Sequence, residues 1–130
     1  MSPAPHPQIT PLQLDVLRAL WAAGEATAAE VHEALARERT LAPTTVATLL
    51  RRLEARGLVT HLKRGRVHVF RATVDEDSLS RSQVAEVAER VFQGDLPELF
   101  AQLLSTHDVG PDDLERIRAL IAAKEAELED

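Results

Sequence analysis

Ala42-Pro43-Thr44-Thr45-Val46-Ala47-Thr48-Leu49-Leu50-Arg51-Arg52-Leu53-Glu54-Ala55-Arg56-Gly57 is the stretch that decides the fold. Proline suits the first position of a helix, where its missing N–H would have no partner. Gly57 suits the left-handed position that ends one. Between them Val46, Leu49, Leu50 and Leu53 recur at the i, i+3, i+4, i+7 spacing of one buried stripe. The opposite face carries Thr44, Thr48, Arg51 and Ala55, flanked by Thr45, Ala47 and Arg52. It consists of short hydrogen-bonding side chains and cations, with no carboxylate at its centre. A buried helix has no use for such a face; a helix lying in a DNA groove does. Residues 43–56 therefore read as a recognition helix, with Pro43, Thr44, Thr45, Thr48, Arg51 and Arg52 as its DNA-facing candidates. Taken alone, the pattern also fits any amphipathic helix with a polar outer face, and for Arg52, on the flank, a solvated surface charge is an equal reading. The neighbouring segments decide.

Upstream, Thr10 and Gln13 form a capping-box pair around Pro11, and Ile9 with Leu14 can make a hydrophobic staple. A first helix runs from there to about residue 23, with Leu14, Leu17, Leu20 and Trp21 as its buried side and Gly24 as its stop. Thr27 and Glu30 repeat the capping box for a second helix whose Val31 and Leu35 face inward. Residues 37–41 turn into the recognition helix, which completes a helix-turn-helix. Residues 1–8, with three prolines, read as a flexible arm.

Downstream, the period changes. Residues 58–61 and 67–71 are rich in β-formers and flank Lys63-Arg64-Gly65-Arg66. An Arg64-Gly65 turn would pair Leu62 with Val67 and His61 with His68. Two faces compete for the core, one with Val59 and Phe70, the other with Leu62, Val67 and Val69. A hairpin whose tip holds three cations, Lys63, Arg64 and Arg66, is a wing placed to touch phosphates; the competing reading is an ordinary polar turn.

The formal net charge of −6 over 130 residues conceals an asymmetry. Residues 1–75 carry ten Lys/Arg against seven Asp/Glu, or +3, and residues 76–130 carry five against fourteen, or −9. Residues 40–72 alone hold seven basic side chains and one acid, Glu54. The positive field lies on the helix and wing that would meet DNA. No run approaches the ~18 apolar residues of a membrane span, so no membrane insertion is expected. With no cysteine, disulfides and thiolate metal sites are excluded, which fits a cytoplasmic protein.

Residues 74–76 look like a joint, giving a DNA-binding domain over 9–75 and a helical domain over 76–130. Asp75 can cap a helix through about residue 93, striped by Val84, Val87 and Val91 and stopped by Gly94. Asp95 and Glu98 start another, bearing Leu96, Leu99, Phe100, Leu103 and Leu104. Gly110-Pro111 introduces the last, with Leu114, Ile117, Leu120, Ile121 and Leu128. Three helices in so short a segment have more apolar stripe than they can bury alone, and they read as half of a dimer core. The expected architecture is mainly α with a small β wing: a winged helix-turn-helix followed by a three-helix dimerisation domain.

Five histidines raise the question of metal. His6, His32 and His107 have no evident partner, and His61 with His68 on an exposed ribbon makes a poor site. Asp112-Asp113 and Glu129-Asp130 read as helix-end electrostatics, not catalytic carboxylates. No phosphate loop, nucleophile elbow or metalloprotease motif appears. No metal, no cofactor and no enzyme activity are expected.

With these parts in place, the chain resembles the penicillinase-repressor (BlaI/MecI) family of bacterial transcriptional repressors. The resemblance runs from about residue 9 to 128. It rests on Ile9-Thr10-Pro11-Leu12-Gln13-Leu14-Asp15-Val16-Leu17, Leu20-Trp21, Pro43-Thr44-Thr45-Val46, Thr48-Leu49-Leu50 with Leu53, Gly57-Leu58-Val59, the wing, and Val91-Phe92-Gln93-Gly94 with Leu99. It implies a homodimer on an inverted-repeat operator of double-stranded DNA. In several members, a membrane sensor with a metalloprotease domain causes cleavage in the dimerisation domain. Two departures stand out. A capping Ser usually precedes the recognition-helix proline, where this chain has Ala42, and the cleavable Asn-Phe pair is replaced by Gln102-Leu103. The copper-responsive branch uses C-terminal cysteines, which this chain lacks.

Two other classes compete. A ligand-sensing winged-helix regulator would hold an effector pocket in its acidic half. A winged helix that binds protein would not need the positive charge concentrated at 40–72.

Overall fold

Thr10 opens the first helix through its capping box: its hydroxyl accepts the Gln13 N–H and the Gln13 side chain accepts the Thr10 N–H, each at 3.1 Å. The computed structural model, which describes residues 9–130, contains α1 (Pro11–Ala23), β1 (Ala26–Thr27), α2 (Ala28–Ala36), α3 (Pro43–Ala55), β2 (Val59–Arg64), β3 (Val67–Ala72), α4 (Glu76–Arg90), α5 (Leu96–Thr106) and α6 (Pro111–Glu129). The arm expected at 1–8 lies outside the described residues. The chain divides into two compact units, with the division inside α4 between Glu86 and Val87.

In the first unit, Val16, Leu17 and Leu20 of α1, Val31 of α2, and Val46, Leu50 and Leu53 of α3 are fully buried together with Leu58, Val59 and Phe70. The buried side of α1 is one residue away from the expected one. Gln13, Val16, Leu17 and Leu20 face inward, while Leu14 and Trp21 are half-buried. Gln13 tolerates burial because its amide oxygen already accepts the Thr10 N–H and an Arg56 guanidinium N–H at 3.2 Å. Trp21 packs on the core's edge, where its indole N–H donates to the Val74 carbonyl at 2.8 Å and ties α1 to the chain beyond the wing. Leu79, beyond the expected joint, is buried in the same core.

The sheet has the order β1-β3-β2, antiparallel throughout. Its hairpin register differs from the expected one. Arg64 pairs with Val67, Leu62 with Val69 and His61 with Phe70, so Gly65-Arg66 forms the loop. Gly65 has φ +65° and Arg66 a negative φ. A two-residue loop of that order puts glycine first; an Arg64-Gly65 loop would have forced a positive φ on arginine. The face with Val59 and Phe70 packs inward, leaving Leu62 and Val67 exposed. The short β1, pairing Ala26 with Phe70 and Thr27 with Val69, has no counterpart in the sequence reading. Two residues are too few to show a strand period.

In the second unit, Gly94, at φ +82°, closes the end of α4 by donating its N–H to the Ala88 carbonyl at 2.9 Å. Asp95 caps α5 through the Glu98 N–H at 3.1 Å. Neither α5 nor α6 buries a single residue.

Asp75 accepts the Ser78 N–H at 2.7 Å at the start of α4. That bond holds its carboxyl below the ordinary value of 3.8. A group with a depressed folded pKa stabilises fully above its unfolded pKa and loses that contribution as pH falls through the folded one. The stability gap between wild type and Asp75→Ala, followed by denaturant unfolding, should therefore be constant from pH 5 to 8 and close progressively below about pH 4.

Candidate nucleic-acid interface

The turn between α2 and α3 is braced on both sides. Arg39 pairs with Asp15 of α1 at 2.6 Å. His32 of α2 donates Nε2–H to the Leu41 carbonyl at 2.7 Å; a carbonyl only accepts, so this nitrogen carries the proton. Ala42 makes no side-chain cap, so Pro43 and these braces set the entry into α3. With Val46, Leu49, Leu50 and Leu53 buried, the helix cannot rotate without exposing its stripe.

The other side of α3 faces out. Pro43, Thr44, Thr45, Arg51 and Arg52 are exposed and Thr48 is half-buried. The Thr48 hydroxyl donates to the Thr44 carbonyl at 2.9 Å, and the Arg51 Nη2 lies 3.4 Å from it. Glu54, the single acid of residues 40–72, is engaged by His61 Nδ1 at 2.6 Å. His61 in turn stacks on His68, with ring centroids 4.3 Å apart, although the register makes them diagonal neighbours and not the directly opposed pair expected. These contacts join the wing's base to the end of α3.

The three wing cations divide. Arg64 is held by both Glu25 oxygens, at 2.6 and 3.2 Å. Lys63 and Arg66 are exposed and make no ion pair among the described residues. A concavity of about 680 Å³ separates α3 from the wing, lined by Thr27, Ala28 and Ala29 at the start of α2, Ala47 and Arg51 of α3, and Arg66 of the turn among others. One contributor escaped the sequence reading: the start of α2 showed only its capping box.

The residues assigned to a dimer core lie on α4, α5 and α6. Val84, Val87, Val91, Phe100, Leu103, Leu104 and Ile121 are exposed, and Leu99, Leu114 and Ile117 are half-buried. Gln102 and Leu103 sit inside α5, both exposed. Gln102 donates to the Glu98 carboxylate at 3.1 Å, and its carbonyl accepts from Ser105 and Thr106. No helix among the described residues is long and apolar enough to cross a membrane.

A helix-turn-helix whose third helix offers a threonine and arginine face, followed by a basic hairpin, defines a winged-helix DNA-binding regulator. Residues 9–123 match the penicillinase repressor family, and the chain belongs to that family of transcriptional repressors, not to an enzyme family. It is 25% identical to the penicillinase repressor of Bacillus licheniformis, over 88% of this chain and 90% of that protein. It is 31% identical to the transcriptional regulator BlaI of Mycobacterium tuberculosis, over 88% of this chain and 83% of that one. Among solved structures, the DNA-binding domain of the repressor BlaI is similar, with 33% identity, a TM-score of 0.51, and coverage of 60% of this chain and 93% of that domain.

The pairing of Arg64 with Glu25 separates the wing cations experimentally. Arg66→Ala should weaken binding to any duplex and lower the slope of log K against log salt by about 0.9, one phosphate contact's worth. Arg64→Ala should change that slope by less than half as much. Equal slopes for the two variants would show that Arg64 leaves Glu25 for phosphate.

Proposed function

We propose that this repressor binds an inverted-repeat operator as a homodimer, with α3 in the major groove and the wing on phosphates. The observation that carries this is the two-sidedness of α3. One face is locked into the core, and the other presents Thr44, Thr45, Thr48, Arg51 and Arg52, with Lys63 and Arg66 of the wing making no ion pair among the described residues. The concavity between α3 and the wing is mostly apolar and carries two cations, Arg51 and Arg66. A phosphate there meets Arg66 and the N-terminal N–H groups of α2, which leaves Arg51 for a base. In this assignment Pro43 and the threonines set the approach to the bases, Arg51 reads a base edge, Lys63 and Arg66 serve the phosphates, and Arg64, assigned to phosphate from the sequence, stays on Glu25 and braces the wing.

A second copy is the partner we assign to the second unit, acting in the cytoplasm on double-stranded DNA. Half-exposed Phe100, Leu103 and Leu104, with Leu96, Ile121 and Leu128, form apolar surface that a lone chain leaves in water. Val87, Val91, Leu99, Leu114 and Ile117 complete the assigned dimer face of this unit, while Val84, assigned with them from the sequence, falls in the first unit. Linking two weak half-site binders raises affinity by ~10²–10⁴-fold without new DNA contacts. Release then requires only that the dimer be split. A cut at Gln102-Leu103, made or triggered by a protease or membrane sensor, divides α5 within its apolar stripe. Because that bond lies inside a regular helix, α5 must unwind locally to be cut. An effector ligand in the second unit is the competing release mechanism. Mass spectrometry of the repressor during derepression separates them: cleaved chains support the cut, and intact chains at full induction exclude it.

Two outcomes test the core of the proposal. Arg51→Ala should lose ~1–3 kcal/mol on a selected operator and much less on random DNA; equal losses would reassign Arg51 to a phosphate. In sedimentation the full chain should be a dimer. A fragment of residues 9–86, which keeps Leu79, should be a folded monomer with weak half-site binding. A dimeric fragment would put the interface in the first unit.

A further inference from the structure

Thr44, Thr45, Thr48, Leu49 and Arg52 surround a hollow of about 230 Å³ on the outer side of α3. Leu49, only 8% exposed, contributes from the core side, and three threonines and one guanidinium supply the rest of the lining. The chemistry of Thr48 is restricted. Its one hydroxyl proton is committed to the Thr44 carbonyl at 2.9 Å, and the Arg51 Nη2 approaches the same oxygen at 3.4 Å. While those contacts last, Thr48 cannot donate to a base edge. What it can still offer a ligand is one acceptor lone pair and its methyl, and of these the methyl is the apolar group.

We propose that this hollow receives the C5-methyl group of a thymine, and that Thr48 is the residue that reads it. The inference rests on the DNA-binding role proposed above and adds a base preference to it. In the major groove the thymine methyl is the apolar feature that marks an A·T pair, and threonine methyls are suitable contacts for it. The hollow has no carboxylate in its lining, and Arg52, which makes no ion pair among the described residues, stands at it ready for a neighbouring base or phosphate. Committing the hydroxyl to the helix backbone also restricts the Thr48 side chain before DNA arrives, so little rotamer freedom is lost on binding.

The test uses the full chain. Duplexes are selected from a random library, each thymine of the selected duplex is replaced singly by deoxyuridine, and dissociation constants are compared for wild type, Thr48→Ser and Thr48→Val. Deoxyuridine removes the methyl and leaves every hydrogen-bonding group. Burial of one methyl corresponds to about a fourfold change in affinity. At one thymine position the wild type should lose about that factor, Thr48→Val should lose as much, and Thr48→Ser should bind both duplexes alike. Equal wild-type affinity for thymine and uracil at every position overturns the inference and leaves the DNA-binding role intact. So does discrimination that survives in Thr48→Ser. Failure to select any duplex overturns both.

Discussion

Burial of Val46, Leu49, Leu50 and Leu53 is the constraint on which the rest of the first unit depends. With that stripe against α1 and α2, the rotation of α3 is fixed, and with it the direction of every outward side chain. Removing a buried leucine costs ~2–5 kcal/mol, so the core resists any turn of the helix about its axis. His32 on the Leu41 carbonyl and Arg39 on Asp15 set where the helix begins, in place of the side-chain cap that Ala42 cannot supply. A DNA-reading face needs this rigidity, since base edges are recognised through short, directed contacts.

Charge placement does the second part of the work. A chain with net charge −6 binds a polyanion because its acids are elsewhere or engaged. Glu54 is held by His61 and Glu25 by Arg64, so these two acids near the end of α3 and the wing are paired. The acids of α6 and its flanks lie in the second unit, where apolar side chains and not cations dominate the exposed helix faces.

Much of this was legible in the residues. Capping boxes at Thr10 and Thr27, the cap at Asp75 and the Gly57 stop are local signals, and local signals set helix ends. Three features were not legible because they are settled by distant partners. The buried side of α1 is turned by one residue because Gln13 finds hydrogen-bond partners in Thr10 and Arg56, so a polar side chain shares the core side that apolar spacing assigns to Leu14 and Trp21. The wing register followed the positive φ of Gly65, which decides between two loops that pattern alone leaves equal. At the site, the threonine and arginine face could be read from a helical wheel. The capture of Arg64 by Glu25, thirty-nine positions away, could not.

The central claim is that α3 and the wing, not the acidic helices, meet the duplex. Mapping backbone amide shifts by NMR while titrating the full chain with a selected operator duplex tests it directly. The account predicts the largest changes over residues 43–52 and 63–66, with residues 27–29 beside them and none of comparable size over 96–129. Changes concentrated in 96–129, or spread evenly without a maximum on α3, would contradict it.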